Sequence, residues 1–162
     1  MKTRASVPVV VAATLLIALV ATSGGGSLID GDEAVYGQFA REMRQTGDTL
    51  TLRWAGHPIH QRPPAYVWSL AFLARFLGEG ERGLRLSATL ATVLTVLAAA
   101  ALARRLAGGA TGAATAAALA FVSFRSTWEY GRAVESDPLL ALFCVLAIER
   151  FAAAVATDAT PA

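Results

Sequence analysis

The chain has 162 residues, of which 55% are hydrophobic and only 16% are charged, and its mean hydropathy is +0.51. A soluble domain of this length carries more charge, so the composition excludes an ordinary soluble protein and indicates an integral membrane protein. The formal net charge of +2 is spread along the chain without a basic run. This distribution excludes a nucleic-acid-binding surface.

Four apolar stretches are predicted to cross the membrane. Three of them contain no acidic or basic residue, and each approaches the roughly 20 residues that a helix needs to cross the hydrocarbon layer. The last is interrupted by Glu149 and Arg150, which lie near enough to its end to reach the interface. The predicted spans are residues 5–23, 86–103, 107–124 and 138–156.

The first span also has features of a cleaved signal peptide, because Lys2 and Arg4 precede it and small residues end it. Its apolar stretch is longer than the roughly 7 to 15 residues of a signal core, which favours an uncleaved anchor. Short loops rich in Lys and Arg stay in the cytoplasm, and Arg104 and Arg105 form such a loop. The sequence therefore predicts a multi-pass protein of the cytoplasmic (inner) membrane with a cytoplasmic N-terminus and residues 24–85 outside.

This outer loop is predicted to contain two interfacial helices. Over residues 31–46, Tyr36, Phe39, Ala40 and Met43 have the i, i+3, i+4, i+7 spacing of an amphipathic helix. A pair of prolines opens the second helix, residues 64–77, which is too short to span. Residues 49–54 are compatible with a short extended segment. The predicted fold class is all-α, with about four transmembrane helices.

Acidic and basic side chains of the outer segments are the candidates for chemistry. Asp32 and Glu33 lie at the start of the first interfacial helix, where a carboxylate can act as a general base. The alternative is that Glu33 completes a capping box begun by Asp30, while Asp32 only complements the helix dipole. Arg62 is a candidate for pairing with the phosphate of a membrane-borne substrate.

The turn between the third and fourth predicted spans carries the other candidates. Arg132 and Asp137 lie in this turn, and Asp137 can also be a helix N-cap. The predicted topology brings the turn to the same membrane face as Asp32, so carboxylates and arginines from distant segments converge. His57 and His60 are interpreted as loop residues, because two histidines without a third ligand do not make a metal site.

The order of four motifs resembles a known family. The motifs are DGDEAVYGQFAREMRQTGD, GHPIHQRPPAYVW, RLSATLATVLTVLAAAALARRL and GRAVESDPLLALF. They resemble the N-terminal part of the polyprenyl-phosphate-sugar-dependent glycosyltransferases of the GT-C fold, especially the aminoarabinose lipid A transferase and protein mannosyltransferase-like group. The similarity extends from about Leu28 to Arg150.

The resemblance implies a function and roles for the candidate residues. It implies transfer of a sugar from a polyprenyl phosphate carrier to a lipid, glycan or protein acceptor on the outer membrane face. Asp32 and Glu33 correspond to the acidic pair of the family's catalytic cavity, Arg62 to a contact of the lipid phosphate, and Asp137 to the acidic residue that opens the fourth span. Arg132 is expected to stabilise the developing phosphate charge with Arg62.

Two departures from the family change the expectations. Many relatives have Glu before the basic residue, whereas this chain has Gln61, and a neutral amide is a poor ligand for a divalent cation. We therefore expect no metal site and no cofactor apart from the lipid-linked sugar donor. Family members also have many more spans, so the resemblance predicts a fragment or a shortened protein. The alternative function is a non-catalytic membrane protein that binds lipid or a partner subunit.

Overall fold

The computed structural model describes residues 31–158, together with Ala13, Ile17, Ala18 and residues 20–22. The first predicted span is thus mostly outside the described residues, as is Asp30 of the predicted capping box. The elements in chain order are α1 (Gly31–Thr46), β1 (Leu52–Trp54), β2 (His57–Ile59), α2 (Ala65–Leu77), α3 (Glu81–Leu106), α4 (Thr111–Ser123), α5 (Arg125–Glu129), a 3₁₀ turn (Tyr130–Arg132) and α6 (Asp137–Asp158).

The described residues are mostly helical, as predicted, and the one addition is an antiparallel hairpin that β1 and β2 form between α1 and α2. Its two-residue turn has Ala55 at φ 51° and Gly56 at φ 80°, the left-handed conformations of a tight hairpin turn. An alanine in this region costs roughly 1–2 kcal/mol. The Glu42 carboxylate compensates for that strain by accepting hydrogen bonds from both turn amides, at 2.9 and 3.2 Å. The hairpin therefore depends on a residue of α1.

The helix α1 runs over the residues predicted for it, but its apolar face packs inside the protein. Tyr36, Phe39 and Met43 are buried in one core with Leu52 of β1 and Leu70 of α2. An amphipathic period gives the same signal for a face against lipid and a face against protein. The interfacial position predicted for α1 and α2 stays a prediction.

A second packed unit consists of α3, α4 and α6, and α3 is its central helix. The Thr92 hydroxyl donates a 3.0 Å hydrogen bond to the Gly131 carbonyl, which fixes the turn before α6 against the middle of α3. Helix α3 begins at Glu81, five residues before the predicted span, and so includes Arg85, whose buried partner is described below. Helix α4 has only 13 residues, fewer than the predicted span 107–124.

Two described helices, α3 and α6, are long and apolar enough to cross a membrane. Helix α6 buries little of its surface in the protein and leaves Leu140, Phe143 and Phe151 exposed. A row of large apolar side chains on one helix is the surface expected against hydrocarbon rather than water. The structure therefore supports a membrane position for this unit, while the count of four spans stays a prediction.

The charges that interrupt the fourth predicted span are paired. Glu149 of α6 is buried and accepts hydrogen bonds from Arg105 at 2.8 Å and from Arg150 at 2.6 Å. Arg105 comes from the last turn of α3, so its ion pair joins the end of α3 to α6, whereas Arg150 pairs with Glu149 within α6. A buried carboxylate shared by two guanidinium groups avoids the cost of an isolated charge in apolar surroundings.

Candidate functional site

The first turn of α1 places two adjacent carboxylates in different surroundings. Asp32 is exposed, whereas Glu33 retains only 5% of its accessible surface. Successive residues of a helix are rotated by about 100°, so neighbours point in different directions. Only Asp32 presents its carboxylate to solvent, and its position at a helix N-terminus favours negative charge there.

Asp32 forms an ion pair with Arg62, whose Nη2 donates to the Asp32 Oδ1 at 2.8 Å. The guanidinium carbon lies 4.9 Å from the centroid of the Tyr36 ring, within cation–π range. Interaction with the Tyr36 side chain, and then with Asp32, raises the pKa of Arg62 above its already high ordinary value. Arg62 is therefore a fixed cation beside an exposed carboxylate.

Glu33 is an internal link between three segments. Its Oε2 accepts a 3.0 Å hydrogen bond from Arg85 of α3, and its Oε1 accepts one of 3.0 Å from the backbone N–H of Val134. The Arg85 side chain is itself only 13% exposed. Both carboxylate oxygens are thus engaged within the protein, which is the geometry of a residue that positions α1 rather than one that contacts a substrate.

Tyr36, which lies under the Arg62 guanidinium, packs against a second tyrosine, Tyr66. Tyr36 and Tyr66 make an edge-to-face contact with ring centroids 5.1 Å apart, and the Tyr36 hydroxyl reaches Ser136 at 3.4 Å. Burial raises the pKa of the Tyr66 phenol, which therefore stays protonated. Within residues 31–158, the Tyr66 hydroxyl makes no hydrogen bond of ordinary geometry. Ser87 lies close enough to this hydroxyl to offset part of the increase in its pKa.

The structure brings residues 133–137 to α1, but it directs Arg132 and Asp137 elsewhere. Arg132 donates from Nε to the Trp128 carbonyl at 2.7 Å and from Nη1 to the Thr22 carbonyl at 3.2 Å. Asp137 is exposed and lines a groove of about 180 Å³ with Thr92 and Tyr130. The lining of that groove includes neither Asp32 nor Arg62. The two segments therefore meet through the contacts of Glu33 with Val134 and of Tyr36 with Ser136, and a pocket shared by Asp32, Arg132 and Asp137 stays a prediction.

A family model described as dolichyl-phosphate-mannose-protein mannosyltransferase matches residues 61–161, which is more than half of the chain. The chain belongs to this family. The result confirms the resemblance to GT-C glycosyltransferases drawn from the motifs. No curated protein and no solved structure matches the chain.

The part that matches the mannosyltransferase family contains Arg62, Arg85, Arg132 and Asp137, whereas Asp32 and Glu33 precede it. Both acidic residues are nevertheless joined to the matched part by ion pairs, Asp32 to Arg62 and Glu33 to Arg85. The first turn of α1 is thus structurally continuous with the family region.

In this mannosyltransferase-family chain, no group of three or more His, Cys, Asp or Glu residues within the described part is arranged to hold a metal ion. His57 pairs with Trp54 in the hairpin register, and His60 follows β2. The expectation that the chain needs no divalent cation stays a prediction.

Sequence reasoning missed Tyr36 and Arg85 as parts of the site. Tyr36 was assigned only to the apolar face of α1, and the cation over its ring comes from a residue 26 positions later. Arg85 did carry a signal, because it is the last charged residue before the charge-free run 86–103. A cation at the mouth of an apolar helix needs a partner, and the acidic residues of the outer loop were the available ones.

Proposed function

We propose that the chain transfers a sugar from a polyprenyl phosphate carrier to an acceptor at the outer face of the cytoplasmic membrane. Membership of the mannosyltransferase family supports the reaction class. The observation that carries the proposal to particular residues is the ion pair of Asp32 and Arg62, which joins an accessible carboxylate to an accessible cation at 2.8 Å. This chemistry fits attack by a hydroxyl and departure of a phosphate.

Arg62 is assigned to the phosphate of the carrier. A guanidinium group has five N–H donors, and in the described residues one of its nitrogens donates to Asp32. The other donors can bind phosphate oxygens, for which the planar fork is well matched. The Tyr36 ring holds the group in place, so its charge is already oriented when negative charge grows on the leaving phosphate.

Asp32 is assigned to the acceptor. A hydroxyl oxygen of the acceptor attacks the anomeric carbon of the sugar while the bond from that carbon to the phosphate oxygen breaks. The carboxylate accepts the hydroxyl proton, and the polyprenyl phosphate leaves with the bonding electrons. A phosphate bound to Arg62 competes for the guanidinium, which frees Asp32 for this proton transfer.

The other predicted site residues act farther from the reacting atoms. Glu33 acts by positioning the first turn of α1 through Arg85 and Val134. Arg132 and Asp137 act on the part of the donor or acceptor that extends from Asp32 toward residues 132–137. Release of the Thr22 carbonyl by Arg132 would provide a second cation for the phosphate.

The test is transfer from a panel of radiolabelled polyprenyl phosphate sugars by membranes that contain the chain. Arg62→Gln removes a charged hydrogen bond worth about 1.5–3 kcal/mol, so kcat/KM for the donor should fall by roughly 10- to 150-fold. Arg125→Gln is the matched control, because Arg125 is an exposed arginine of the outer turn paired with Glu129. The assignment is wrong if both variants behave alike. Binding of a donor without any turnover would favour the non-catalytic alternative.

A further inference from the structure

Helix α2 has an exposed aromatic stripe on the face opposite its buried side. Trp68, Phe72 and Phe76 follow one another at intervals of four residues and are 44%, 60% and 72% exposed. The other face, which includes Val67 and Leu70, is buried in the outer-loop core. Three large aromatic side chains on one side of a short helix are unusual against water and typical of the interface of a bilayer.

The stripe borders a groove with a cationic lining. A cavity of about 650 Å³ lies between the end of α1 and the face of α2, lined by Arg44, Gly47, Thr49, Trp68, Phe72 and Arg75 among others. Its lining contains two arginines and no acidic residue. Arg44 is paired with Glu79, whereas Arg75 is exposed and makes no ion pair or hydrogen bond with any described residue. The groove thus combines apolar rings with an uncompensated cation.

The aromatic walls of the groove are held in fixed positions. The Trp68 indole N–H donates a 2.6 Å hydrogen bond to the Thr49 carbonyl, which ties the ring to the segment after α1. Phe72 and Phe76 contact each other with ring centroids 5.4 Å apart. A rigid apolar wall reduces the entropy lost when a chain packs against it.

We propose that this groove binds one glycerophospholipid with an anionic headgroup. The lipid phosphate lies against Arg75 and Arg44, and an acyl chain runs along Trp68 and Phe72. Charge complementarity and the apolar rings together favour this occupant, since a soluble anion would leave the rings exposed and a zwitterionic lipid, which has no net charge, would not neutralise Arg75. The bound lipid would anchor α2 to the outer leaflet.

The lipid site is separate from the site of sugar transfer. Arg44 lies 12 residues after Asp32 on α1, which places the two ends about 18 Å apart along the helix. The proposal therefore does not depend on the proposed function. A polyprenyl phosphate also joins an anionic phosphate to an apolar chain, so the experiment includes it as a competitor.

The test uses the position of Trp68 in the full chain reconstituted into lipid nanodiscs. The chain has three tryptophans, so Trp54→Phe with Trp128→Phe leaves Trp68 as the only one. Its fluorescence is measured with dibrominated phosphatidylglycerol or dibrominated phosphatidylcholine, since bromine quenches an adjacent indole. We expect half-maximal quenching at about fivefold lower mole fraction for the anionic lipid, which corresponds to about 1 kcal/mol per arginine at a membrane surface.

Arg75→Gln should remove this preference, whereas Arg82→Gln should keep it, because Arg82 is an exposed arginine outside the groove. Equal quenching by the two lipids, or equal behaviour of the two variants, would overturn the proposal. Displacement of the brominated lipid by an equimolar polyprenyl phosphate would assign the groove to the carrier instead. Native mass spectrometry of the same two variants with all tryptophans intact repeats the comparison, and only Arg75→Gln should lose bound phosphatidylglycerol.

Discussion

Replacement of Glu33 by glutamine should destabilise the protein far more than its small chemical change suggests. The amide oxygen of glutamine can still accept the hydrogen bond from the Val134 N–H. It cannot neutralise Arg85, whose side chain is 13% exposed and ion-paired with Glu33 at 3.0 Å. Removal of one partner from a buried ion pair costs about 3–5 kcal/mol, and the retained hydrogen bond places Glu33→Gln near the lower end, at about 3 kcal/mol.

The measurement is the free energy of unfolding in mixed micelles, from an SDS titration followed by circular dichroism. Glu129→Gln is the control, because Glu129 belongs to an exposed ion pair with Arg125 and its loss should have no measurable effect. The double variant Glu33→Gln, Arg85→Met should recover part of the lost stability, since it also removes the buried guanidinium that has lost the Glu33 carboxylate. If Glu33→Gln is no less stable than Glu129→Gln, Glu33 does not link α1 to the bundle.

Two further predictions concern the hairpin and the turn before α3. The bond from Gln38, together with those from the turn amides, holds the pKa of Glu42 below its ordinary value of 4.5, so the stability that its charge contributes is present above that pH and lost as the pH falls through the lowered value. With Trp68 and Trp128 replaced by phenylalanine, the emission of Trp54 should therefore shift to the red in acid, and Glu42→Gln should already show this red-shifted emission at neutral pH. A Glu42→Gln variant with the same emission and the same response to acid as its parent would contradict this. Gly83→Ala should lower stability by about 1–3 kcal/mol because its Cβ would lie 2.1 Å from the Gly78 carbonyl oxygen. Gly112→Ala, with no atom within 4 Å of its Cβ, should be neutral or stabilising in the same SDS titration, and equal losses would refute the packing argument.

The sequence predicted the helices of the outer loop from local patterns alone. The spacing of Tyr36, Phe39 and Met43 predicts α1, and the proline pair predicts the start of α2. It did not predict what their apolar faces contact, because a period of 3.6 residues is the same against lipid and against protein. The core that joins α1 to Leu52 and Leu70 is a property of the tertiary structure.

The parts that sequence reasoning missed depend on long-range contacts. The two-residue hairpin turn has Ala55 at its first position, where Asn, Asp or Gly is usual, so the sequence does not predict a hairpin there. The hydrogen bonds that compensate for the strain of Ala55 come from Glu42, which lies 13 residues earlier. For the candidate site, the predicted meeting of the outer loop with residues 125–137 does occur, but through the Val134 amide. A backbone group has no signature in the sequence, so no motif search could have found this contact.

The central claim is that the exposed carboxylate of Asp32 assists sugar transfer from a polyprenyl phosphate carrier. The most direct test is the rate of transfer from the preferred radiolabelled donor by the chain with Asp32→Asn, beside Asp48→Asn. Asp48 is a suitable control because its side chain accepts hydrogen bonds from the backbone amides of Leu50 and Thr51, which an asparagine can also accept. The account predicts that Asp32→Asn lowers kcat by about 10²- to 10⁴-fold with Asp48→Asn unchanged. Full transfer by Asp32→Asn would contradict it.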